Sequence, residues 1–159
     1  MAIATTSSNY IGRRKDISIL QYPDASGVEA QTVFPVFGKT TRMCAGVQKL
    51  VQKYAIILLT NINSQENFPT FGADFLYPLQ AGISPVDNLQ ATQIFKLASY
   101  NAVNTLKRYQ IDNPDIPADE TILAAELTNI SVYGGAVSFE VTIRTEAGDA
   151  IDFVVPIPK

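Results

Sequence analysis

The spacing of the hydrophobic positions changes along the chain and divides it into three regions. Between residues 16 and 37, apolar and polar residues alternate weakly around Pro23 and Gly27, which favours extended segments. From Thr41 to about Thr60 the apolar residues recur every three or four positions, which predicts a helix with one apolar face. After Pro117 the period falls to two, which is typical of strands that pack on one face.

A second and longer helix is predicted between Asp87 and the turn at 112–114. Asp87 suits the N-cap position, and Gln90 follows three residues later, as in a capping box. The apolar stripe of this helix is Ala91, Ile94, Phe95, Ala98, Ala102, Val103, Leu106 and Tyr109. The stripe is long enough to cross a small domain, because each residue adds about 1.5 Å to a helix.

Three strands are predicted after the second helix. Gly134-Gly135 and the segment 146–149 suit tight connections between them, and Leu127 is out of phase with the rest of its strand, which predicts a bulge. The apolar positions of the last two strands are Val137, Phe139, Val141, Ile143, Ile151, Phe153, Val155 and Ile157. We therefore predict an α+β fold, with two main amphipathic helices, a three-stranded antiparallel C-terminal sheet and an extended N-terminal arm.

The composition of the chain limits the classes of function that it can have. A chain of 159 residues with 47% hydrophobic residues and a net charge of −3 is sufficient for one globular domain. Its densest basic cluster is residues 13–15, which is too small to indicate nucleic-acid binding. The longest apolar run, residues 54–59, is too short to span a bilayer, so we expect no membrane partner. The lone Cys44 is expected to be a buried apolar residue.

The chemistry available to the chain is limited. It has no histidine, which removes most triads and zinc sites, and we predict no cofactor or metal. An enzyme would need paired carboxylates, as in a small peptidoglycan-degrading glycosidase with Glu66 as its acid. The candidates for that acid pair are Glu66, Asp74, Asp119 and Glu120. We favour a chain that is not an enzyme, since a glutamate in a turn more often caps a helix or forms an ion pair.

An aromatic segment, residues 63–79, follows the first helix and contains Phe68, Phe71, Phe75 and Tyr77. We interpret it as an elbow that packs these rings into the core, since each ring buries a large apolar area. The alternative is a stand-alone ligand-binding module with its pocket between Phe68 and Tyr77.

The order of these elements, with two short motifs, resembles the sheath-initiator or baseplate-wedge family of contractile phage tails. Relatives of that family occur in phage-like bacteriocins and type VI secretion baseplates. The matching motifs are "ILLT" at 57–60 and an elbow formed by Glu66, Pro69, Phe71 and Gly72. The resemblance covers residues 45–157. Residues 41–159 are then a wedge-like α+β domain, and residues 1–40 an extended arm that a partner could order.

The resemblance implies a structural role in the virion. Six copies would sit on the tail baseplate, assembled in the host cytoplasm, with tail sheath protein and wedge proteins as partners and the tail tube as a further candidate. The chain departs from the family at three places, one of which is the short spacing from Glu66 to Pro69. Gln65 stands where the family has glycine, and the Glu-Pro-Arg triplet that contacts a wedge partner is missing, with Asp119 or Glu120 as the nearest substitutes for its acid. The lysozyme label that the family carries has no support in these residues.

A three-stranded sheet also offers a means of binding sheath protein. Its two edges carry unpaired backbone groups, which can pair with a strand from another chain. We predict that the last strand accepts such a strand, with these residues as the site: Ile151, Asp152, Phe153, Val154 and Val155. The alternative is that these residues only complete the core and that the edge is solvated.

Overall fold

A computed structural model describes residues 12–21, 34–35, 43–80, 88–133 and 136–158. Three helices are present in these ranges: α1 (Val47–Leu59), α2 (Leu76–Gln80) and α3 (Asn88–Ile111). A 3-10 turn follows at Ala118–Glu120. The C-terminal sheet contains β5 (Ile122–Tyr133), β6 (Ala136–Thr145) and β7 (Ala150–Pro158), in that order and antiparallel throughout. The predicted α+β class and the three-stranded sheet are confirmed.

The N-terminal part of the chain contributes two small pairs of strands. β1 (Asp16–Ile17) pairs with β4 (Met43–Cys44), and β2 (Leu20–Gln21) pairs with β3 (Phe34–Pro35), both antiparallel. The expected extended segments are therefore present where the structure describes residues 16–37. No helix in the described ranges is both long enough and apolar enough to cross a membrane.

The first helix begins later than its apolar spacing predicts. Met43 and Cys44 continue the helical pattern, but they form β4 because their backbones pair with β1. Gly46, which precedes the helix, has a φ of 62° and cannot belong to it. The predicted start at Thr41 is wrong, and that residue lies outside the described ranges. Cys44 is buried, as predicted, and burial raises the pKa of its thiol to about 11.

The core lies between the two long helices and the inner face of the sheet. Three rings form its centre: Phe75, Phe95 and Phe139 are fully buried, and their centroids lie 5.0–5.3 Å apart. Tyr54 of α1 is also fully buried, where its hydroxyl bonds the Ser99 hydroxyl of α3 at 2.8 Å. The residues predicted for the inner face of β6 are all buried, as are Phe153 and Val155 of β7.

The elbow after α1 is only partly as predicted. Phe75 is fully buried and Phe71 packs partly against the core, but Phe68 and Tyr77 are 65% and 67% exposed, so their assignment to the core is wrong. The loop that carries Phe68 extends into solvent, since residues 63–70 are all exposed. The elbow therefore places one ring in the core, leaves one at its edge and presents two to solvent.

Gly72 fixes the path of the elbow. Its φ is +125°, and a Cβ atom at this position would lie 2.5 Å from the carbonyl oxygen of Thr60. The backbone of Ala73 then donates to that same oxygen at 2.9 Å. Only glycine allows this close approach, so Gly72 is required for the loop to return to the core along this path.

Candidate functional site

The β6–β7 turn determines which way each backbone group of β7 points. The amide of Thr145 donates to Asp149 at 3.0 Å, and the amide of Gly148 donates to Thr145 at 3.1 Å. Gly148 has a φ of 89°, as the last residue of a three-residue hairpin loop requires. Thr145 and Asp149 are therefore a hydrogen-bonded pair, and pairs of this kind must recur at every second position along the ladder.

Hydrogen-bonded and non-hydrogen-bonded pairs alternate from this turn, which fixes the direction of the backbone groups of each residue in β7. Because Ile143 pairs with Ile151 and Val141 with Phe153, the amides of Ile151, Phe153 and Val155 bond to β6. The backbone N–H groups of Ala150, Asp152 and Val154 consequently point away from the sheet. The Thr128 hydroxyl supports this count, since it donates to the Glu140 carbonyl at 3.0 Å and so shows that Glu140, the partner of Val154, faces β5.

The outer edge of β7 is regular and open within the described chain. The ladder to β6 runs without a register shift from Ala150 to Pro158, and no described strand lies on its other side. Pro156 and Pro158 are in phase with Asp152 and Val154, so the two residues without an N–H stand where no ladder bond needs one. The edge thus offers three donors followed by two positions that cannot donate.

The five residues predicted as the strand-addition site divide into two groups. Phe153 and Val155 are buried on the inner face, and Ile151 packs partly against the core, so these three side chains hold β7 to the body. Asp152 and Val154 contribute the outward backbone groups, and the Asp152 carboxylate accepts a 2.6 Å bond from the Thr142 hydroxyl.

The prediction missed Ala150, the third outward donor. Two sequence signals could have identified it: the glycine at the third loop position, and the two prolines in phase with the outward residues.

The other predicted site residues do not form one site. Glu66 and Pro69 lie on the exposed part of the elbow loop, where the only described role of Pro69 is to accept the Asn63 amide at 3.0 Å. Phe71 and Gly72 shape the return of the loop to the core. Glu66 is therefore outside the kind of apolar cleft that makes a carboxyl a general acid.

Asp119 and Glu120 are both engaged within the chain. Arg13 binds both carboxylate oxygens of Asp119, at 2.5 and 2.6 Å. Glu120 is buried, and its carboxylate accepts the Gly46 amide at 3.0 Å and pairs with the Lys49 ammonium at 2.8 Å. A contact of either residue with a partner would have to replace these bonds, so neither is a free substitute for the acid of the family triplet.

These pairs belong to a set of contacts that holds residues 13–19 on α1. Lys49 also donates to the carbonyl of Arg14 at 3.1 Å. Gln52, which is buried, accepts from the Ile19 amide and donates to the Ile17 carbonyl, both at 2.8 Å. The side-chain amide of Gln52 thus bonds this segment as a neighbouring strand would, and part of the predicted arm is attached to the domain.

No cluster of three or more carboxylate or thiol groups that could hold a metal ion occurs in the described residues. Comparison of the chain with protein-family models, with curated proteins and with solved structures found no match.

Proposed function

We propose that this chain is a structural component of a contractile tail baseplate, which starts the first sheath ring by accepting a strand of sheath protein on β7. The proposal rests on the resemblance of residues 45–157 to sheath initiators and on the form of the β7 edge. The resemblance supplies the partner and the six-fold setting. The edge supplies the means of binding, because backbone bonds give affinity to an added strand.

One observation carries the proposal: the outer edge of β7 has an uninterrupted ladder behind it and three outward N–H groups along it. Proteins commonly blunt such an edge with bulges, charges or prolines. Here the prolines stand only at 156 and 158, beyond the outward donors, and the register is unbroken. The part from Ala150 to Val155 is therefore suited to pairing with another strand.

The buried side chains of β7 make this edge a firm support. Phe153 and Val155 are 2% and 3% exposed, and the Phe153 ring meets the Tyr54 ring edge-on at a centroid distance of 6.2 Å. A strand added beside β7 would therefore join a strand that the core already holds. Each such contact can be modest in affinity, since six copies in one ring multiply the effect.

The same proposal assigns wedge proteins to a different surface. The exposed rings of Phe68 and Tyr77 stand on the elbow, which contains the family-like motif, and exposed apolar groups of this size are typical of contact surfaces. Asp119 and Glu120 are less suited to that contact, because their carboxylates already bind Arg13 and Lys49.

The test is a pair of substitutions at Val154, each introduced into the gene for this chain and followed by electron microscopy of the contractile tails that the proposal expects. Val154→Pro removes an outward N–H without touching the ladder to β6, whereas Val154→Ala keeps the N–H and shortens the side chain. We expect the proline variant to remain folded by circular dichroism and to give tails without sheath. The alanine variant is expected to give sheathed tails in electron micrographs. Sheathed tails from the proline variant would contradict the proposal.

A further inference from the structure

A groove of about 360 Å³ lies between α3 and the other edge of the sheet, on β5. One wall is the side of α3 that includes Lys96, Tyr100, Val103 and Lys107. The other wall is formed by four residues of β5: Leu123, Ala124, Ala125 and Leu127. This groove is on the opposite edge from β7. It was not predicted from the sequence, and the function proposed above does not use it.

The backbone of β5 faces into this groove. Since Arg144 stands opposite Ala150 in a pair that is not hydrogen-bonded, its backbone bonds to the other side, to Ala124. The next residue, Ala125, and then Leu127 must therefore direct their N–H and C=O groups away from β6. Register shifts at 122–124 and 127–129 interrupt β5 on both sides of this stretch, so only a short strand could pair with it.

A side-chain amide of the chain itself already bonds to the backbone at the start of the β5 edge. The side chain of Gln110, near the end of α3, accepts from the Ile122 amide at 3.2 Å and donates to the Glu120 carbonyl at 2.9 Å. A peptide group of a neighbouring strand would make the same two bonds. The groove continues from this point along β5, with α3 beside it, so an extended backbone fits where the glutamine amide ends.

The α3 wall of the groove is positively charged. Lys96 and Lys107 line it, no acidic residue does, and the 24 residues of α3 include no aspartate or glutamate. The whole chain has a net charge of −3, so this positive surface is local. Neither lysine has an ion-pair partner among the described residues. An occupant with carboxylates would therefore complement the groove.

The spacing of the two lysines sets the spacing of those carboxylates. Eleven residues of helix separate Lys96 from Lys107 by about 16 Å. Four residues of an extended strand span about 14 Å and place both side chains on the same face, and the flexible lysine stems cover the remainder. The residue midway between the two acids would then point toward Val103, and should be apolar. The pattern is acid, any, apolar, any, acid.

We propose that this groove binds a short extended segment of a partner protein that carries this acidic and apolar pattern. The segment pairs its backbone with Ala125 and Leu127 and its carboxylates with Lys96 and Lys107. The exposed side chains of Tyr100 and Leu123, 65% and 51% exposed, would be covered by it. Binding in this groove is independent of the baseplate function proposed for β7.

The test uses a fluorescent ten-residue peptide of alternating valine and threonine, with glutamates four residues apart, and measures its binding by anisotropy. A control peptide has the same length and net charge with the glutamates five apart, which places them on opposite faces of a strand. We expect Lys96→Gln with Lys107→Gln to weaken binding of the first peptide about tenfold, on the basis of two exposed ion pairs. Arg108→Glu, on the same helix but outside the groove lining, should leave binding unchanged.

Two further measurements show whether the peptide binds in the groove: exchange of the charges between protein and peptide, and NMR amide spectra. Lys96→Glu with Lys107→Glu should bind the matching lysine peptide in place of the glutamate peptide. In amide spectra, the peptide should shift Ala125 and Leu127 and leave Asp152 and Val154 unchanged. The proposal is overturned if the two glutamate spacings bind equally, if no peptide binds, or if the shifts fall on β7. Shifts at Ala125 that depend on protein concentration without peptide would also overturn it, because a second copy would then fill the groove.

Discussion

The two edges of the C-terminal sheet differ although both belong to the same three strands. β7 has an unbroken register and outward donors at Ala150, Asp152 and Val154, and no described strand pairs with its outer edge. β5 has two register shifts, a helix beside it and a glutamine amide already bonded to its first outward group. β7 is therefore suited to a longer strand held by backbone bonds alone. β5 is suited to a short one that side chains must also recognise.

The difference follows from which strand the long helix covers. α3 packs along β5, so that edge becomes one wall of a groove and its occupant must fit Tyr100 and Val103. β7 is held from one face only, by Phe153 and Val155, so its edge imposes few demands on the sequence of a partner. Backbone hydrogen bonds along a sheet edge give an added strand its affinity. Side chains beside the edge, as on α3, give specificity for the sequence of that strand.

The largest expected effect comes from removing the support that the two edges share. Phe139→Ala on the central strand should lower the free energy of unfolding by about 3–5 kcal/mol, because its fully buried ring stacks on Phe95 at 5.0 Å. Phe68→Ala is the matched control and should change it by less than about 0.5 kcal/mol, since that ring is 65% exposed. Urea unfolding measures both. Equal losses would show that the elbow ring belongs to the core after all.

A smaller effect distinguishes the two sides of β7 itself. Val155→Pro removes an amide bonded to β6 and a buried side chain, and should cost about 3 kcal/mol. Val154→Pro is the same chemical change one residue away, where the amide points outward, and should cost less than about 1 kcal/mol. The two melting curves give the comparison. If Val154→Pro is as destabilising as Val155→Pro, the hydrogen-bond alternation argued from the β6–β7 turn is wrong.

The smallest effect is expected on the outer face between β5 and β6. Arg144 and Glu126 pair there at 3.6 Å, but both side chains are more than half exposed, so solvent screens the pair. Arg144→Ala should therefore change the free energy of unfolding by less than about 0.5 kcal/mol. It should leave binding at both edges unchanged. A loss of peptide binding in the groove by this variant would show that the outer face, rather than the α3 wall, recognises the acidic segment.

The sequence predicted those elements in which the spacing of the hydrophobic residues is regular. α3 and β6 repeat at 3.6 and 2 residues, and the inner face of β6 was predicted correctly. The predicted stripe of α3 is wrong at Tyr109, which is 49% exposed because the end of the helix extends beyond the core. The bulge in β5 was predicted because Leu127 breaks its alternation, and the register does shift there, between Leu127 and Asn129. The turn at Gly134-Gly135 and the cap at Asp87 lie outside the described residues.

The remaining features depend on contacts between distant residues. Nothing near Met43 in the sequence indicates that residues 16–17 will pair with it and exclude it from α1. The same holds for Arg13 and Asp119, which are 106 residues apart. The sequence also does not show which rings of the elbow are buried. Phe68 and Phe75 have the same side chain, and only the path of the loop exposes the first and buries the second. The candidate site was located by its strand, and the hydrogen bonds of the β6–β7 turn then showed which of its residues direct their N–H groups outward.

Whether an outside strand pairs with β7 can be seen in a cryo-electron microscopy structure of the assembled tail. We expect a strand of sheath protein beside residues 150–155, with hydrogen bonds to the amides of Asp152 and Val154. An assembled tail in which the outer edge of β7 faces solvent in every copy of the chain would contradict it.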